Sequence, residues 1–377
     1  MNNPAKKILF LTGTRADFGK IKSLIQTLEE QDEFEVFVFV TGMHLQELYG
    51  YTLIEIERCN FTNVFTFENH THETTMDLTL AKTIEGLSNY CKAINPDMIV
   101  VHGDRVETLA GAIVGSLNNI LVSHIEGGEI SGTVDELIRH SVSKLSHIHF
   151  VSNKEAEKRL IQMGEIKESV FTIGSPDIDI MFSDRLPELK TVQEYYKIDF
   201  KEYAIVMFHP VTTEIHSIKE YAETFVGTLL EDHHNYVVIY PNNDLGSHFI
   251  LEAYEKLKQN SRFRIFPSIR FEYFLTLLKN SQFIIGNSSA GIREAPYYGI
   301  PIINIGTRQQ NRTIDAEIIN TNYFAEEIRK ALLKIDSHQI QNSKDDFGQG
   351  NSAELFLESL KKNDIWQLNH QKQFRDI

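Results

Sequence analysis

Short runs rich in β-branched and aromatic residues recur along the whole chain, each followed by a segment of helical period, and the rhythm resumes after a single proline- and charge-bearing interruption. Several of these runs are apolar at every position rather than every second one. That pattern belongs to strands buried on both faces, as in a parallel sheet covered by helices. In the first half the expected strands are Lys7–Leu11, Val36–Val40, Met98–Val101, Ile120–His124, His149–Val151 and Val170–Ile173. The helices between them are expected at Asp17–Glu30, Leu80–Ile94, Arg105–Leu117, Val134–Leu145 and Lys154–Met163, with Asp17, Asp104, Thr133 and Asn153 competent as N-caps.

The interruption, Ser183–Glu194, reads as a linker. A second series follows, with strands at Tyr203–Phe208, Tyr236–Tyr240, Arg264–Phe266, Phe283–Ile285 and Ile302–Ile305. Its helices are expected at Ser217–Leu230, Ser247–Lys258, Arg270–Asn280, Ser289–Tyr297 and Phe324–Ile335. A chain of 377 residues exceeds the size at which single cores stop growing, so the fold class expected is α/β, as two Rossmann-like domains facing a cleft. Ligands of open parallel sheets bind beyond the carboxyl ends of the strands, and the polar loops of both halves fall there.

Charge and composition narrow the function. Fifty-two acids against 37 Lys and Arg give a net charge of −15, which argues against nucleic acid or an anionic membrane surface as the main partner. The pair Cys59 and Cys91 suggests neither a disulfide framework nor a CxxC metal site, and a reducing cytoplasm is the expected location. The first apolar run, Lys6–Leu11, is too short for a secretory leader, and no run approaches the ~18 apolar residues of a membrane span. The 15 histidines include His70 and His72 in a polar loop and His147 and His149 on a strand edge, but no HExxH pattern and no calcium-loop spacing, so no metal is expected. Gly-x-Ser-x-Gly is absent, as is a GxGxxG after any expected strand, which removes the main support for a serine hydrolase or a dehydrogenase.

Three segments carry chemistry. Glu126 follows an apolar strand and opens a glycine-rich turn that also holds Glu129 and Asp135, with Asp104 at the end of the preceding strand. Carboxylates crowded at such strand ends repel one another, so some pKa values rise and acid and base forms coexist, which suits proton transfer. A solvated acidic loop is the bland alternative. Gly13–Lys20 links the first strand to the first helix, the position of many phosphate loops, although its spacing is not that of a Walker A sequence. Arg15 in it is suited to hold a phosphate through two hydrogen bonds, against the alternative of a tight turn with a solvated arginine. In the second half, Gly286–Pro296 is a strand followed by small polar residues, so backbone N–H groups around Ser288, Ser289 and Gly291 can approach a diphosphate. Glu294 is placed one turn later for a ribose diol, with a surface acid as the alternative, and strand-end His209 could reach the same diphosphate.

Taken together, Thr12–Asp17, His102–Arg105, Ile125–Glu129, Ser131–Asp135 with Ile138–His140, Phe208–Thr212, Tyr240–Asp244 and Gly286–Gly291 resemble, in order and spacing, the hydrolysing UDP-N-acetylglucosamine 2-epimerases of bacterial sialic acid and capsule synthesis. The resemblance covers nearly the whole chain. It implies a GT-B-like pair of domains at 1–182 and 183–362, a C-terminal helix at 363–377 packed back on the first domain, a homodimer, and no cofactor or metal. The family's catalytic carboxylates fall on Asp104, Glu126 and Asp135. Arg15, Lys20, Arg139 and His209 match positions facing the diphosphate or sugar, Ser288, Ser289, Gly291 and Glu294 match the nucleotide loop, and Asn243 is a further substrate-binding match. A related group retains the nucleotide, but this chain has the Gly127-Gly128-Glu129-x-Ser131-Gly132-Thr133-Val134-Asp135 form of the hydrolysing branch.

The reaction so implied is loss of UDP ahead of the carbon 2 proton, giving 2-acetamidoglucal, then addition of water with inversion at carbon 2. Asp104 is the candidate base, with Glu126 and Asp135 sharing the later steps. A 2-epimerase for a modified UDP-sugar such as a diacetamido-trideoxy hexose, a GT-B glycosyltransferase and a non-catalytic nucleotide-sugar sensor are the competing readings.

Overall fold

The computed structural model describes residues 4–70, 75–131, 133–184, 186–309, 318–335 and 347–375. The chain divides into two compact units, one formed by Met1–Glu129, Asp135–Asp184 and Asp346–Ile377, the other by Ile130–Val134 and Arg185–Asp345.

The first unit runs β1 Lys6–Thr12, α1 Arg15–Glu29, β2 Phe34–Val40, α2 Leu53–Glu57, β3 Val64–Thr66, α3 Met76–Ile94, β4 Met98–His102, α4 Val106–Leu117, β5 Leu121–Ile125, α5 Val134–Leu145, β6 Ile148–Val151, α6 Lys154–Gln162, β7 Val170–Thr172 and α7 Pro176–Met181. Among the described residues its strands form one sheet in the order β3-β2-β1-β4-β5-β6-β7, every neighbouring pair parallel. The order reverses direction between β1 and β4, which puts the loops after those two strands at the ligand crevice typical of doubly wound sheets. The uninterrupted apolar runs are explained by burial: every residue of β4 and β5 is buried.

Strand β3 was not expected from the sequence. Its residues are all exposed on the sheet edge, so no apolar alternation marks it. The N-caps also differ in part. Asn153 caps α6 as expected, through Ala156 N–H. The cap of α1, however, is Thr14, and Asp17 is the carboxylate of a capping box that returns to the Thr14 amide. The N-cap of α4 is Arg105, one residue beyond Asp104.

After the second unit the chain returns to the first with a last helix, α13 Ser352–Leu360, whose Phe356 and Leu360 are buried in the core of the first unit. The sequence reading ended the second domain at 362, beyond this helix; the apolar face of α13 against α1 moves that boundary back. Beyond it, among the described residues, the chain forms a 3-10 turn at Asn363–Gln367 in place of the helix expected over 363–377. Trp366 packs near Phe34, and Lys372 is tied down by the buried carboxylate of Glu165 and the Ser146 carbonyl at 2.6 Å. Burial raises the Glu165 pKa but is outweighed by His149 and Lys372, which hold the carboxyl down to about 2.

The second unit contains α8 Leu189–Tyr196, β8 Ala204–Met207, α9 Ile218–Glu231, β9 Tyr236–Ile239, α10 Ser247–Tyr254, β10 Phe263–Phe266, α11 Phe271–Lys279, β11 Ile284–Gly286, β12 Ile302–Ile305, β13 Ile319–Thr321 and α12 Ala325–Ile335. Helix α8 takes up the second half of the expected linker, with Val192 fully buried. The sheet order β10-β9-β8-β11-β12-β13 is again parallel throughout and reverses between β8 and β11. The expected helix Ser289–Tyr297 is instead two 3-10 turns, Ser289–Gly291 and Ala295–Tyr298, because Pro296 supplies no amide to continue it.

Candidate active site

In the first unit, Asp104 follows β4 and Glu126 follows β5, and the strands are in register so that His102 lies opposite Ile125. Both carboxylates therefore stand at the carboxyl edge of neighbouring strands. Asp104 forms an ion pair with Arg139 of α5, and Arg139 donates its other arm to the Glu129 carbonyl at 3.2 Å. Arg139 is almost wholly buried; burial lowers its pKa, but the charges of Asp104, Glu129 and Asp135 more than offset this and raise it. The same field places Asp135 within electrostatic reach of the Asp104–Arg139 pair.

Glu126 is held differently. Its backbone has φ of +63°, a left-handed conformation that a glutamate adopts at a cost of about 1–3 kcal/mol and that surrounding structure must enforce. Its amide donates to the Phe150 carbonyl at 2.8 Å. Its carboxylate accepts from Ser175 on one oxygen, while the other lies 3.0 Å from His102 Nε2 and 3.4 Å from Lys20 Nζ. Lys20 in turn lies 3.0 Å from the fully buried Asp177. The structure thus makes Lys20 a bridge between two buried carboxylates.

The loop after β1 corrects one expectation. Asp17 accepts from the amides of Gly13 at 3.0 Å and Thr14 at 3.1 Å, and the Asp17 amide donates to Thr14 Oγ1 at 3.2 Å. These three amides are taken by the protein's own side chains, so the loop does not offer them to a phosphate. Arg15, expected to hold a phosphate, is the first residue of α1 and is half-buried. Behind it lies a buried cluster in which His44 Nε2 is 3.0 Å from Thr12 Oγ1 and Nδ1 is 2.8 Å from Thr52 Oγ1. Burial pushes the His44 pKa down to about 3.

In the second unit the expected nucleotide residues come together around β8 and β11. Asn287 accepts from the His209 amide at 2.7 Å and donates to the His209 carbonyl at 2.9 Å, clamping the two strand ends. His209 Nδ1 accepts from the Asn242 amide at 3.0 Å, so the neutral ring carries its proton on Nε2. The close approach is possible because Gly286 has φ of +138°, and a Cβ there would meet the Met207 carbonyl. Ser288 caps the turn by accepting from Ala290 N–H at 3.3 Å, and the Gly291 amide donates to the Ser288 carbonyl at 3.2 Å. Two of the amides expected to face a diphosphate are therefore engaged within the turn. Ser289 opens that turn, Glu294 is buried ahead of the next one, and Asn243 is half-buried in the loop beyond β9.

Several site residues were not singled out from sequence. His102 alone carried a signal, as the first residue of the His102–Arg105 segment that contributes to the family resemblance. Ser175 and Asp177 reach Glu126 and Lys20 from a distant segment that no local pattern connects to them. Among the described residues, Asp232, His233 and His234 bring metal-ligand atoms within 4.8 Å of one another, but Asp232 already accepts from His234 at 2.7 Å and Tyr236 at 2.6 Å. His70 is described, and His72 lies outside the described residues. No described helix is long and apolar enough to cross a membrane.

Comparison with known proteins agrees with this architecture. A profile of the UDP-N-acetylglucosamine 2-epimerase family matches residues 26–361. The UDP-N-acetylglucosamine 2-epimerase of Neisseria meningitidis serogroup B is 48% identical over 375 residues, 99% of each chain. The UDP-N,N'-diacetylbacillosamine 2-epimerase (hydrolyzing) of Legionella pneumophila is 33% identical, over 94% of this chain and 96% of its own. The crystal structure of Methanocaldococcus jannaschii UDP-GlcNAc 2-epimerase in complex with UDP-GlcNAc and UDP superposes with a TM-score of 0.81 at 23% identity, covering 94% of this chain and 99% of that one, a likeness of fold. By the extent of the profile match and the identity to full-length relatives, this chain belongs to the UDP-N-acetylglucosamine 2-epimerase family.

Proposed function

We propose that the protein is a hydrolysing UDP-N-acetylglucosamine 2-epimerase, converting its substrate to UDP and N-acetylmannosamine, a product that feeds sialic acid synthesis. The observation that carries the reading is the pair of strand-end carboxylates. Asp104 is fixed by Arg139, and Glu126 is forced into a left-handed conformation and gripped by Ser175, His102 and Lys20. Costly backbone geometry persists only where surrounding structure enforces it and clusters at functional sites, and two carboxylates held at adjacent strand ends suit proton transfer.

In this reading the carbon 2 proton is too weakly acidic for direct removal, so departure of UDP runs ahead and builds positive charge at the anomeric carbon. Asp104 takes the carbon 2 proton and leaves 2-acetamidoglucal. Glu126 and Asp135 then serve the addition of water to the anomeric carbon and of a proton to the opposite face of carbon 2. Arg15 and His209 stabilise the diphosphate, Ser288, Ser289 and Gly291 line the nucleotide loop with Asn243 nearby, and Glu294 serves the ribose. Lys20 holds Glu126 in place, and Arg139 orients Asp104. Homodimerisation and action in the cytoplasm are part of the same proposal.

Incubating the protein with UDP-N-acetylglucosamine and separating the products tests the assignment. UDP and free N-acetylmannosamine in equal amounts are expected. An intact UDP-sugar epimer would place the protein in the nucleotide-retaining group, and turnover only with an added acceptor would make it a transferase. The 33% identity to the Legionella enzyme supports a second reading, in which a diacetamido UDP-sugar is the substrate. The higher identity to the Neisseria enzyme favours N-acetylglucosamine, and relative kcat/KM on the two sugars decides between them.

A further inference from the structure

We propose that His124 is a positioning residue for the reaction, bridging the Gly103 carbonyl to the Ser143 hydroxyl and thereby fixing the end of β4, with Asp104, against α5. The inference rests on the 2-epimerase reading, because it concerns how Asp104 is aimed at the sugar.

His124 lies on β5, wholly buried, two residues before Glu126. Its Nε2 is 2.8 Å from the Gly103 carbonyl oxygen and its Nδ1 is 3.0 Å from Ser143 Oγ. A carbonyl can only accept, so Nε2 carries the proton, and Nδ1 of the neutral ring accepts from the serine hydroxyl. Burial, reinforced by the charges of His149, His102 and Arg139, holds the ring's pKa down to about 3, so His124 stays neutral and does not act as an acid or base near neutrality. What it offers is direction.

Both ends of the bridge matter to the site. Gly103 immediately precedes Asp104, adopts φ of +76°, and donates its amide to the Ile125 carbonyl at 3.0 Å, so β5 grips that residue by amide and carbonyl alike. Ser143 stands one helical turn beyond Arg139, the ion-pair partner of Asp104. The end of β4 and helix α5 are thus joined twice, by a charged link at the Asp104 carboxylate and by a neutral link at the residue before it. One link would leave the carboxylate free to swing about it; two fix both distance and direction. The turn that carries Glu126 is built onto the same bridge. A Cβ at Gly127 would lie 2.8 Å from His124 Nδ1 and 2.9 Å from Ser143 Oγ, so only glycine fits over it.

The two ring nitrogens can be tested separately. His124→Gln places an amide near the Nε2 position and keeps the donor to Gly103, whereas His124→Asn keeps an acceptor near Nδ1 but does not reach Gly103. With kcat for UDP release and KM measured per folded molecule, H124N is expected to lose about 10²-fold in kcat with KM within about twofold, as for an ångström-scale misplacement of a catalytic group. H124Q is expected to recover to within about tenfold of the parent. A purely structural histidine would lower the melting temperature of both variants and leave kcat unchanged. Parent-like kcat in H124N, or an H124Q no better than H124N, overturns the proposal. Should H124N not fold, Ser143→Ala cuts the other end of the bridge, and an unchanged kcat in that variant overturns it equally.

Nitrogen-15 spectra of the histidine-labelled parent read the bridge without turnover. A non-titrating Nε2–H tautomer for His124 is expected from pH 6 to 8, and a titrating or Nδ1–H signal contradicts the bridge. A parent protein that shows this locked ring but does not consume UDP-N-acetylglucosamine would remove the functional reading instead, so the two failures are distinguishable.

Discussion

Asp104 and Glu126 both follow strand ends but are held by different means, Asp104 through an ion pair with the buried Arg139 guanidinium and Glu126 by backbone constraint with Ser175, His102 and Lys20 around its carboxylate. The difference suits different tasks. A base that must reach carbon 2 needs one fixed direction, and Asp104→Asn is expected to lower kcat by about 10²–10⁴-fold with KM largely kept. Parent-like turnover of that variant would remove Asp104 from the chemistry. Both carboxylates stand out in the sequence as candidates, Glu126 directly after an apolar strand and Asp104 just past the end of the preceding one. Their supports were not legible. Ser175 and Asp177 come from the residue before α7 and from α7 itself, far along the chain, and Lys20, which the resemblance matches to a position facing the diphosphate or sugar, stands between Asp177 and Glu126. Replacing Lys20 by Met should therefore act through Glu126, lowering kcat more than it raises KM. A rise in KM alone would return Lys20 to substrate binding.

At the level of elements, the strands buried on both faces were readable as apolar runs, as were the edge strands β7 and β10, whereas the edge strands β3 and β13 were not. β3 is exposed along its length and β13 is only partly buried, so neither has an apolar face for the sequence to display. The start of α1 shows how a correct motif can be given the wrong job. Asp17 was a plausible N-cap and Gly13–Lys20 a plausible phosphate loop, yet Asp17 closes a capping box and satisfies two amides of that loop. Asp17 is buried, and burial raises its pKa despite the donors from Thr12, Gly13 and Thr14. Asp17→Ala leaves those buried donors without a partner and should cost about 1–3 kcal/mol, read as a lower urea midpoint. An unchanged midpoint would mean that water replaces the carboxylate. The C-terminal segment was assigned to the first domain through the resemblance alone, and its anchor, Lys372 on Glu165, is a pairing of residues remote in sequence.

For the whole molecule, the buried histidines set the response to acid. The folded state holds His44 and His124 neutral down to about pH 3, whereas the unfolded chain protonates them below the ordinary histidine value of 6.5. The unfolded state therefore binds more protons between those values, and stability falls as pH drops through that window. Each histidine should withdraw roughly 2 kcal/mol between pH 6.5 and pH 5. The urea midpoint of the first unit is expected to be clearly lower at pH 5 than at pH 7, and equal midpoints would mean that these rings are open to water. Glu165, held down to about 2, adds its own loss only below pH 4.5.

The central claim is that the two strand-end carboxylates exchange the proton on carbon 2 of a sugar whose nucleotide departs. Running the reaction in deuterated water and locating the label tests it most directly. The account predicts UDP together with free N-acetylmannosamine carrying one deuterium at carbon 2. Release of UDP with a sugar that has kept its original proton at carbon 2 would contradict it.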